Sequence, residues 1–482
     1  MSNIEHARVR EAVARAWADE VIPSLSELVE IPAVSPAYDA SWREGGQLHA
    51  AVGHVRRWVD SYGLPGVVCQ VVELEGRTPL LLVEVPATQA AVSSGTVLLY
   101  GHLDKQPALG EWSQGLGPWE PVRRGDRLYG RGSADDGYAA YAAVTALGAV
   151  RAAGGEHARA VVLLETGEES GSPDLPVYLE YLADRLGDIT LVVSLDGGGE
   201  DYERLWLTSS LRGAVQATVT VRVLSAPAHS GLAGGIVPNP FLIMRRLLDR
   251  LEDPATGEVR VPEMHAALPE GLREEVEELA ALDPGAIARR FPLVEGAVPL
   301  FDDDVKLILN NTWRPALSVI GAAGLPDAPT AGAVLHDAVS LCLSFRIPPP
   351  IDAETARAAL ERIVTTDVPY GAQVEITDVM TINGWHAPTP APWLSSALAD
   401  VGKHVFGRPC RRAGFGGGIP FMEMLGTRYP DAQFIVTGAL GPDSNLHVPD
   451  EWLNIPFARQ LTESIAHITD AHASRQGEDH QW

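Results

Sequence analysis

Four short apolar runs limit what this chain can fold into, because each leads into side chains able to hold a metal ion. The runs are Val97–Tyr100, Ala160–Leu164, Ile189–Ser194 and Gln433–Val436. They lack the polar alternation of a half-exposed strand and read as strands buried on both faces. The first leads into Gly101-His102-Leu103-Asp104, the second into Gly167-Glu168-Glu169-Ser170, and the third into Asp196-Gly197-Gly198. The fourth reaches Asn445-Leu446-His447 through a glycine-containing loop. Helical candidates Tyr138–Ala152 and Leu175–Leu186 lie between the early runs. Strands alternating with helices imply an α/β sheet with both faces covered. Ligands of open α/β sheets bind outside the carboxyl ends of the strands, so these placements converge on one crevice. A fifth segment, Leu128 to Gly137, precedes a helix and offers the adjacent Asp135 and Asp136.

A chain of 482 residues exceeds one ordinary core. Its opening stretch, Glu5 to Glu30, has helical apolar spacing and ends before Pro32. The middle changes character. Arg212 to Val223 alternates apolar and polar residues, an amphipathic helix follows near Pro240 to Leu251, and strands are expected at Ala316–Ile320 and Ala338–Arg346. A helix opened by Asp352 runs to Val364, and a strand at Gln373–Val379 closes the region. This β-α-β-β-α-β order is that of a ferredoxin-like sandwich. The expected organisation is a catalytic domain in two parts, residues 1–207 and 386–482, with a smaller α+β domain, 208–385, inserted between them. The acidic stretch from Asp253 to Asp304, with a charged helical piece at Glu270–Leu282, is compatible with either an ordered excursion or a flexible loop.

The formal charge of −26 argues against nucleic acid as a partner, since phosphate binding needs basic patches. No apolar run approaches the ~18 residues of a membrane helix, and the N-terminus carries charges where a signal peptide needs an apolar core. Cys69, Cys342 and Cys410 have no CxxC spacing and read as core residues in a reducing compartment. The expected location is the cytoplasm, with no membrane partner.

Mixed imidazole and carboxylate ligands suit Zn²⁺, Mn²⁺ or Co²⁺ better than Mg²⁺ or Ca²⁺. Two neighbouring ions are well served by one bridging carboxylate with flanking ligands on each side. The strings Tyr-Gly-His-Leu-Asp-Lys-Gln-Pro (100–107), Leu-Tyr-Gly-Arg-Gly-Ser-Ala-Asp-Asp (128–136), Glu-Glu-Ser-Gly-Ser (168–172) and Asn-Leu-His (445–447) carry a family resemblance. With Leu-Val-Glu-Ile-Pro-Ala-Val-Ser-Pro (28–36), the chain resembles the carnosinase, aminoacylase and carboxypeptidase-G group of metallopeptidases, and most of all its carnosinase-type, cytosolic non-specific dipeptidase branch.

The resemblance implies a three-layer α/β catalytic domain on a mixed sheet, a ferredoxin-like lid, and a homodimer formed through that lid. It implies two divalent ions, with Zn²⁺ the first choice, bridged by Asp135. His102 and Asp196 would complete one ion's ligands, and Glu169 and His447 the other's. Glu168 would be the general base, and Asp104 would orient the His102 imidazole. In the inserted domain His229 would stabilise the oxyanion, often across a dimer, and Arg346 would bind a substrate carboxylate. Asn311 and Thr330 would line the same site.

The loop Phe415-Gly416-Gly417-Gly418-Ile419-Pro420 departs from the dipeptidase branch, which has a Glu before the glycines and a Ser after them. Backbone N–H groups at Gly417 and Gly418 could still hold a carboxylate. The expected substrate is therefore a dipeptide or short peptide, and the alternative is an N-acyl-amino-acid amidohydrolase or carboxypeptidase with the same two-metal site. A non-catalytic metal-binding protein is the reading of another class, against which the intact Glu168 counts. The Glu168–Glu169 pair does not suit glycoside hydrolysis, because neighbours on an extended chain point apart, and no Gly-x-Ser-x-Gly elbow follows a strand.

Overall fold

Side chains alternate across a strand, so a strand buried on both faces must be apolar throughout. The computed structural model describes residues 4–475, and its largest sheet follows this rule. Six strands lie in the spatial order Val68–Val72, Leu80–Val85, Arg159–Glu165, Thr96–His102, Ile189–Ser194, Gln433–Val436. The last four are mutually parallel, while the first two are antiparallel additions at one edge. Leu81, Val83, Leu99, Val162, Leu191, Val193 and Ile435 share one core with the helices His6–Ala16, Gln47–Tyr62, Tyr138–Ala152 and Ile455–Ser474. Leu80, Leu82, Leu98, Tyr100, Val161, Leu163 and Val192 alternate with them and are buried as well.

The chain divides into two units. The first comprises Met1–Thr208, Ala387–Arg412 and Met424–Trp482, and the second Ser209–His386 with Ala413–Glu423. Residues 413–423 thus group with the second unit, although the sequence reading put them in the closing catalytic segment. The reason is local packing, for Arg212 Nε donates to the Gly416 carbonyl at 3.1 Å. A Cβ on Gly416 would also meet the Asn311 side chain at 2.7 Å.

The second unit is built on a four-stranded antiparallel sheet in the order Ala316–Ala323, Ala338–Ile347, Gly213–Arg222, Gln373–Ile382. Val215, Ala217, Val219 and Val221 face a core shared with the helices Pro240–Leu251 and Ala353–Thr365. This is the ferredoxin-like order expected from the sequence. The acidic stretch is ordered where it can bury apolar side chains. Helix Leu272–Leu282 packs Leu272 and Val276 against Ile308, Leu309 and Trp313.

Two helical expectations are refined. The opening helix runs His6–Ala16 and Ile22–Val29 with a π-helical turn, Trp17–Val21, between them. The helix after the second buried strand breaks at Leu182 into Leu175–Tyr181 and Ala183–Leu186. No helix among the described residues is long and apolar enough to cross a membrane.

Candidate metal centre

His102 is the last residue of the central strand Thr96–His102 and is fully buried. Its neighbour must be glycine: a Cβ on Gly101 would stand 2.7 Å from Asp136 Oδ2 and 2.8 Å from the Ala139 side chain. The close approach lets the His102 amide donate to Asp136 Oδ2 at 3.2 Å. His102 Nδ1 donates to the main-chain carbonyl of Asp104 at 3.0 Å, which leaves Nε2 facing Asp135 Oδ1 at 3.3 Å. The other Asp135 oxygen, Oδ2, faces His447 Nε2 at 3.0 Å, and that nitrogen also lies 3.3 Å from Glu169 Oε2. One buried carboxylate therefore presents an oxygen to each of two imidazoles.

The remaining acids close around this pair. One ligand atom each from His102, Glu168 and Asp196 lies within 4.8 Å of the others, as does one each from His102, Asp135 and Glu169. Asp196 follows the strand Ile189–Ser194, and Glu168 and Glu169 sit on a single 3₁₀ turn. The Asp104 carboxylate clamps that turn by accepting the amides of Glu168 at 3.2 Å and Glu169 at 3.0 Å. Its Oδ1 also stands 3.5 Å from His102 Nδ1, beside the imidazole it was expected to orient. The main-chain oxygen of Asp104 makes the shorter contact to that nitrogen.

Sequence reasoning passed over Glu451, which organises the Asp135 loop. Its Oε1 accepts the amides of Gly132, Ala134 and Asp135 at 3.0, 3.2 and 3.3 Å, and its Oε2 pairs with Arg131 at 2.7 Å. Both side chains are buried. A single glutamate in a Pro-Asp-Glu-Trp stretch carries no periodic signal, and only its place four residues after His447 points to it. Gln106, also passed over, donates to Glu169 Oε2 at 2.7 Å. His447 itself sits at φ +60° in a loop where Asp443, Asn445 and Asp450 are also left-handed. Such conformations cost about 1–3 kcal/mol each and persist only when surroundings impose them. Here Asn445 Nδ2 donates to the Asp450 carbonyl at 3.1 Å, and the Asp450 carboxylate accepts the Ser113 amide at 2.9 Å.

The charges do not balance without cations. Burial pushes the carboxyl of Glu169 up to about 9 and that of Asp196 to about 6, with the Asp135 charge adding to both. Burial, then Asp196, raises Glu168 well above the carboxylate range. Asp135 is the exception, because the imidazoles of His102 and His447 outweigh its burial and hold it below that range. Burial alone would lower His102, but the Asp104, Asp135 and Asp196 carboxylates outweigh it and raise the imidazole well above its ordinary value. A protein that buries so many acids together must bind protons or metal ions there. Among the described residues, Glu169 Oε1 is buried without a hydrogen-bond partner. Two ligands at about 2.0–2.1 Å from a tetrahedral ion stand about 3.3 Å apart, close to the nitrogen–oxygen gaps at Asp135 and Glu169. The donor set fits a pair of borderline divalent ions.

The other expected residues lie in the second unit. His229 is exposed, and its Nδ1 accepts the Gly231 amide at 3.1 Å, so the ring carries its proton on Nε2. Arg346 lies opposite Ala214 and is partly buried. Among the described residues no carboxylate pairs with it. Arg212 donates to the carbonyls of Asn310 and Arg314 as well as Gly416. Burial, then the Arg346 charge, lowers it to about 10. A Cβ on Gly418 would approach the Arg212 carbonyl to 2.9 Å, and one on Gly417 would approach the Phe415 ring equally closely. Thr330 is exposed and donates to the Asp327 carbonyl at 2.9 Å.

Two measurements test this description. Glu451→Ala leaves Arg131 and three amides without their buried partner and is expected to cost about 3–5 kcal/mol in denaturant unfolding; a loss below about 1 kcal/mol would contradict the role given to Glu451. Metal uptake requires deprotonated ligands. At pH 7.5 His102 and Glu169 hold protons in the metal-free protein, so loading should release protons, and apparent affinity should climb from about pH 6 to about pH 9. Calorimetry in buffers of unlike ionisation enthalpy measures this, and a buffer-independent heat would contradict it.

The sequence model of peptidase family M20/M25/M40 matches residues 98–471. The cysteinylglycine-S-conjugate dipeptidase of Corynebacterium striatum is 28% identical over 364 residues, which is 74% of this chain and 76% of that protein. Human Beta-Ala-His dipeptidase is 29% identical over 295 residues, 60% of this chain and 55% of that one, so the match spans about half of that relative. The crystal structure of human carnosine dipeptidase 1 superposes with a TM-score of 0.74 at 22% identity, covering 98% of this chain and all of that one, a likeness of fold. With more than three quarters of this chain matched by the family model, the strand-end acids and histidines included, the chain belongs to peptidase family M20/M25/M40.

Proposed function

We propose that the chain is a two-metal hydrolase of peptide bonds in dipeptides or short peptides. The observation that carries the reading is the Asp135 carboxylate, with one oxygen toward His102 and the other toward His447. Asp135 is the bridging ligand, His102 and Asp196 hold one ion, and Glu169 and His447 hold the other. Zn²⁺ is the first choice, with Mn²⁺ and Co²⁺ as alternatives. Ions held there supply electrophilic activation of the amide carbonyl and lower the pKa of the attacking water.

The rest of the reaction belongs to the chain's own side chains. Glu168 lies within reach of His102 and Asp196, and its carboxylate is kept basic by the burial and acidic neighbours that raise it. It takes a proton from the attacking water and returns that proton to the leaving amine, so one group serves as base and then acid. Asp104 positions Glu168 through the amide it accepts. The Nε2–H of His229 is a free-standing donor suited to the oxyanion. Arg346, without a carboxylate partner among the described residues, suits the carboxylate of a substrate. The Gly417–Gly418 backbone is the second element of that recognition.

A homodimer through the second unit is supported by its edge strand Ala316–Ala323, where Val319 and Ile320 are 50% and 56% exposed. Leu232 and Ile236, close to His229 in sequence, are 77% and 81% exposed. Unpaired apolar edges are sites of strand addition. The three cysteines are free, and burial raises Cys69 to about 12 and Cys410 to about 11, consistent with a reducing, cytoplasmic setting.

The test is turnover after chelation and reloading with Zn²⁺, Mn²⁺ or Co²⁺, over a panel of dipeptides and N-acyl amino acids. Metal-dependent cleavage of dipeptides is expected, and Glu168→Gln should keep its ions while losing ~10²–10⁴ in kcat. Cleavage of N-acyl amino acids alone would move the assignment to an amidohydrolase, and no cleavage of either class would overturn the enzyme reading.

A further inference from the structure

Residues 28–36 hold none of the proposed ligands, yet two segments that do are fastened to them. The Lys105 amide donates to the Ala33 carbonyl at 2.9 Å, and the Ser35 amide donates to the Lys105 carbonyl at 3.0 Å. Ser35 Oγ meets Ser170 Oγ at 2.6 Å, and Ser170 closes the 3₁₀ turn that carries Glu168 and Glu169. The Lys105 side chain makes a third attachment. Its Nζ donates to the carbonyls of Leu28 and Ile31 at 2.8 Å each and of Val29 at 3.2 Å. These lie at the end of the helix Ile22–Val29, where backbone carbonyls run short of intrahelical donors. Lys105 itself stands between Asp104 and Gln106, two side chains that hold the Glu168–Glu169 turn.

Lysine is a marked choice in this chain. Of 37 basic side chains only Lys105, Lys306 and Lys403 are lysines, and Lys105 is 1% exposed. Three carbonyls gathered on one nitrogen suit a tetrahedral ammonium with three N–H donors, whereas a guanidinium spreads its donors over a planar fork. Burial draws this ammonium down to about 7, with Glu451 opposing the effect and Arg131 adding to it. A neutral amine has two N–H groups and would leave one of the three carbonyls unmet. The stem is constrained as well. A Cβ on Gly132 would stand 2.6, 2.8 and 2.9 Å from Cε, Cδ and Cγ of Lys105, so the Gly132 backbone rests directly on it. Gly132, at φ +78°, leads into the turn Ser133–Gly137 that carries Asp135. Its amide is one of the three that Glu451 accepts, and its carbonyl accepts the Gly137 amide at 3.1 Å.

We infer that Lys105 is a positioning residue for the metal centre, its ammonium anchored on Leu28, Val29 and Ile31 and its stem setting the place of the Gly132 backbone and so of the Asp135 carboxylate. The inference rests on the reading of Asp135 as a ligand of two ions. Glu451 fixes the amides of the Asp135 loop, and the Lys105 stem fixes the ground on which that loop lies. Lys105→Met keeps most of the stem's bulk but takes the buried donor from three carbonyls, which frees the stem to shift and the loop with it. Residues that orient ligands without touching the metal are worth about 10–100-fold in metal affinity or activity.

The test compares wild type and Lys105→Met, full chain, loaded with Co²⁺. The variant is expected to bind Co²⁺ about 10–100-fold more weakly, to show an altered visible spectrum, and to lose kcat by a similar factor with KM within about twofold. A folded Lys105→Met with the wild-type affinity and spectrum would overturn the inference. A second measurement needs no variant at position 105. With three lysines in the chain, ¹³C-lysine labelling gives three sets of side-chain signals, assigned through Lys306→Arg and Lys403→Arg. Zn²⁺ added to the metal-free protein should shift the Lys105 signals and leave the other two in place. Two bound ions with the Lys105 signals unmoved would overturn the positioning role alone, whereas a wild type that binds no metal would overturn the reading of Asp135 with it.

Discussion

The arrangement around Asp135 is what the rest of the first unit has to accommodate. A carboxylate with one oxygen toward each of two imidazoles, and three further acids close by, is far out of electrostatic balance once water is removed. Burying one ionised carboxylate without compensation is prohibitive, and proteins respond by neutralising it or supplying a cation. Here the metal-free chain uses protons, which is why Glu168, Glu169 and Asp196 are raised and His102 is held charged. Metal ions do the same work without quenching the base that hydrolysis needs.

Holding that arrangement requires a rigid frame. The proposed ligands His102, Glu169 and Asp196 follow the carboxyl ends of parallel strands, where sheet hydrogen bonds fix the backbone. Where a ligand lies on a loop, a buried carboxylate takes over the anchoring. Glu451 gathers the amides before Asp135, and Asp104 gathers those of Glu168 and Glu169. Acids thus occur at two levels, those gathered around Asp135 and those accepting backbone amides. The strongly acidic composition, which argues against a nucleic-acid partner, has this use in the centre as well.

Strand position was legible because burial on both faces writes itself as an uninterrupted apolar run, as at Val97–Tyr100 and Ile189–Ser194. Of the proposed ligands, His102, Glu169 and Asp196 stood out because they sit within a few residues of those runs. The inserted ferredoxin-like sheet was legible from the alternation in Val215, Ala217, Val219 and Val221. What escaped depends on contacts distant in sequence. Glu451 reaches back more than three hundred residues to Arg131, and only its place four residues after His447 marks it. Residues 413–423 join the second unit through Arg212 and Asn311, which no local pattern could announce.

The claim that Asp135 serves two ions at once is tested most directly by counting metal in Asp135→Ala against wild type at equal free Zn²⁺. A bridging carboxylate contributes to both positions, so loss of two equivalents is the expected result, with the fold retained by circular dichroism. Retention of both equivalents, or loss of only one, would contradict a bridging Asp135 and leave it an ordinary ligand of a single ion.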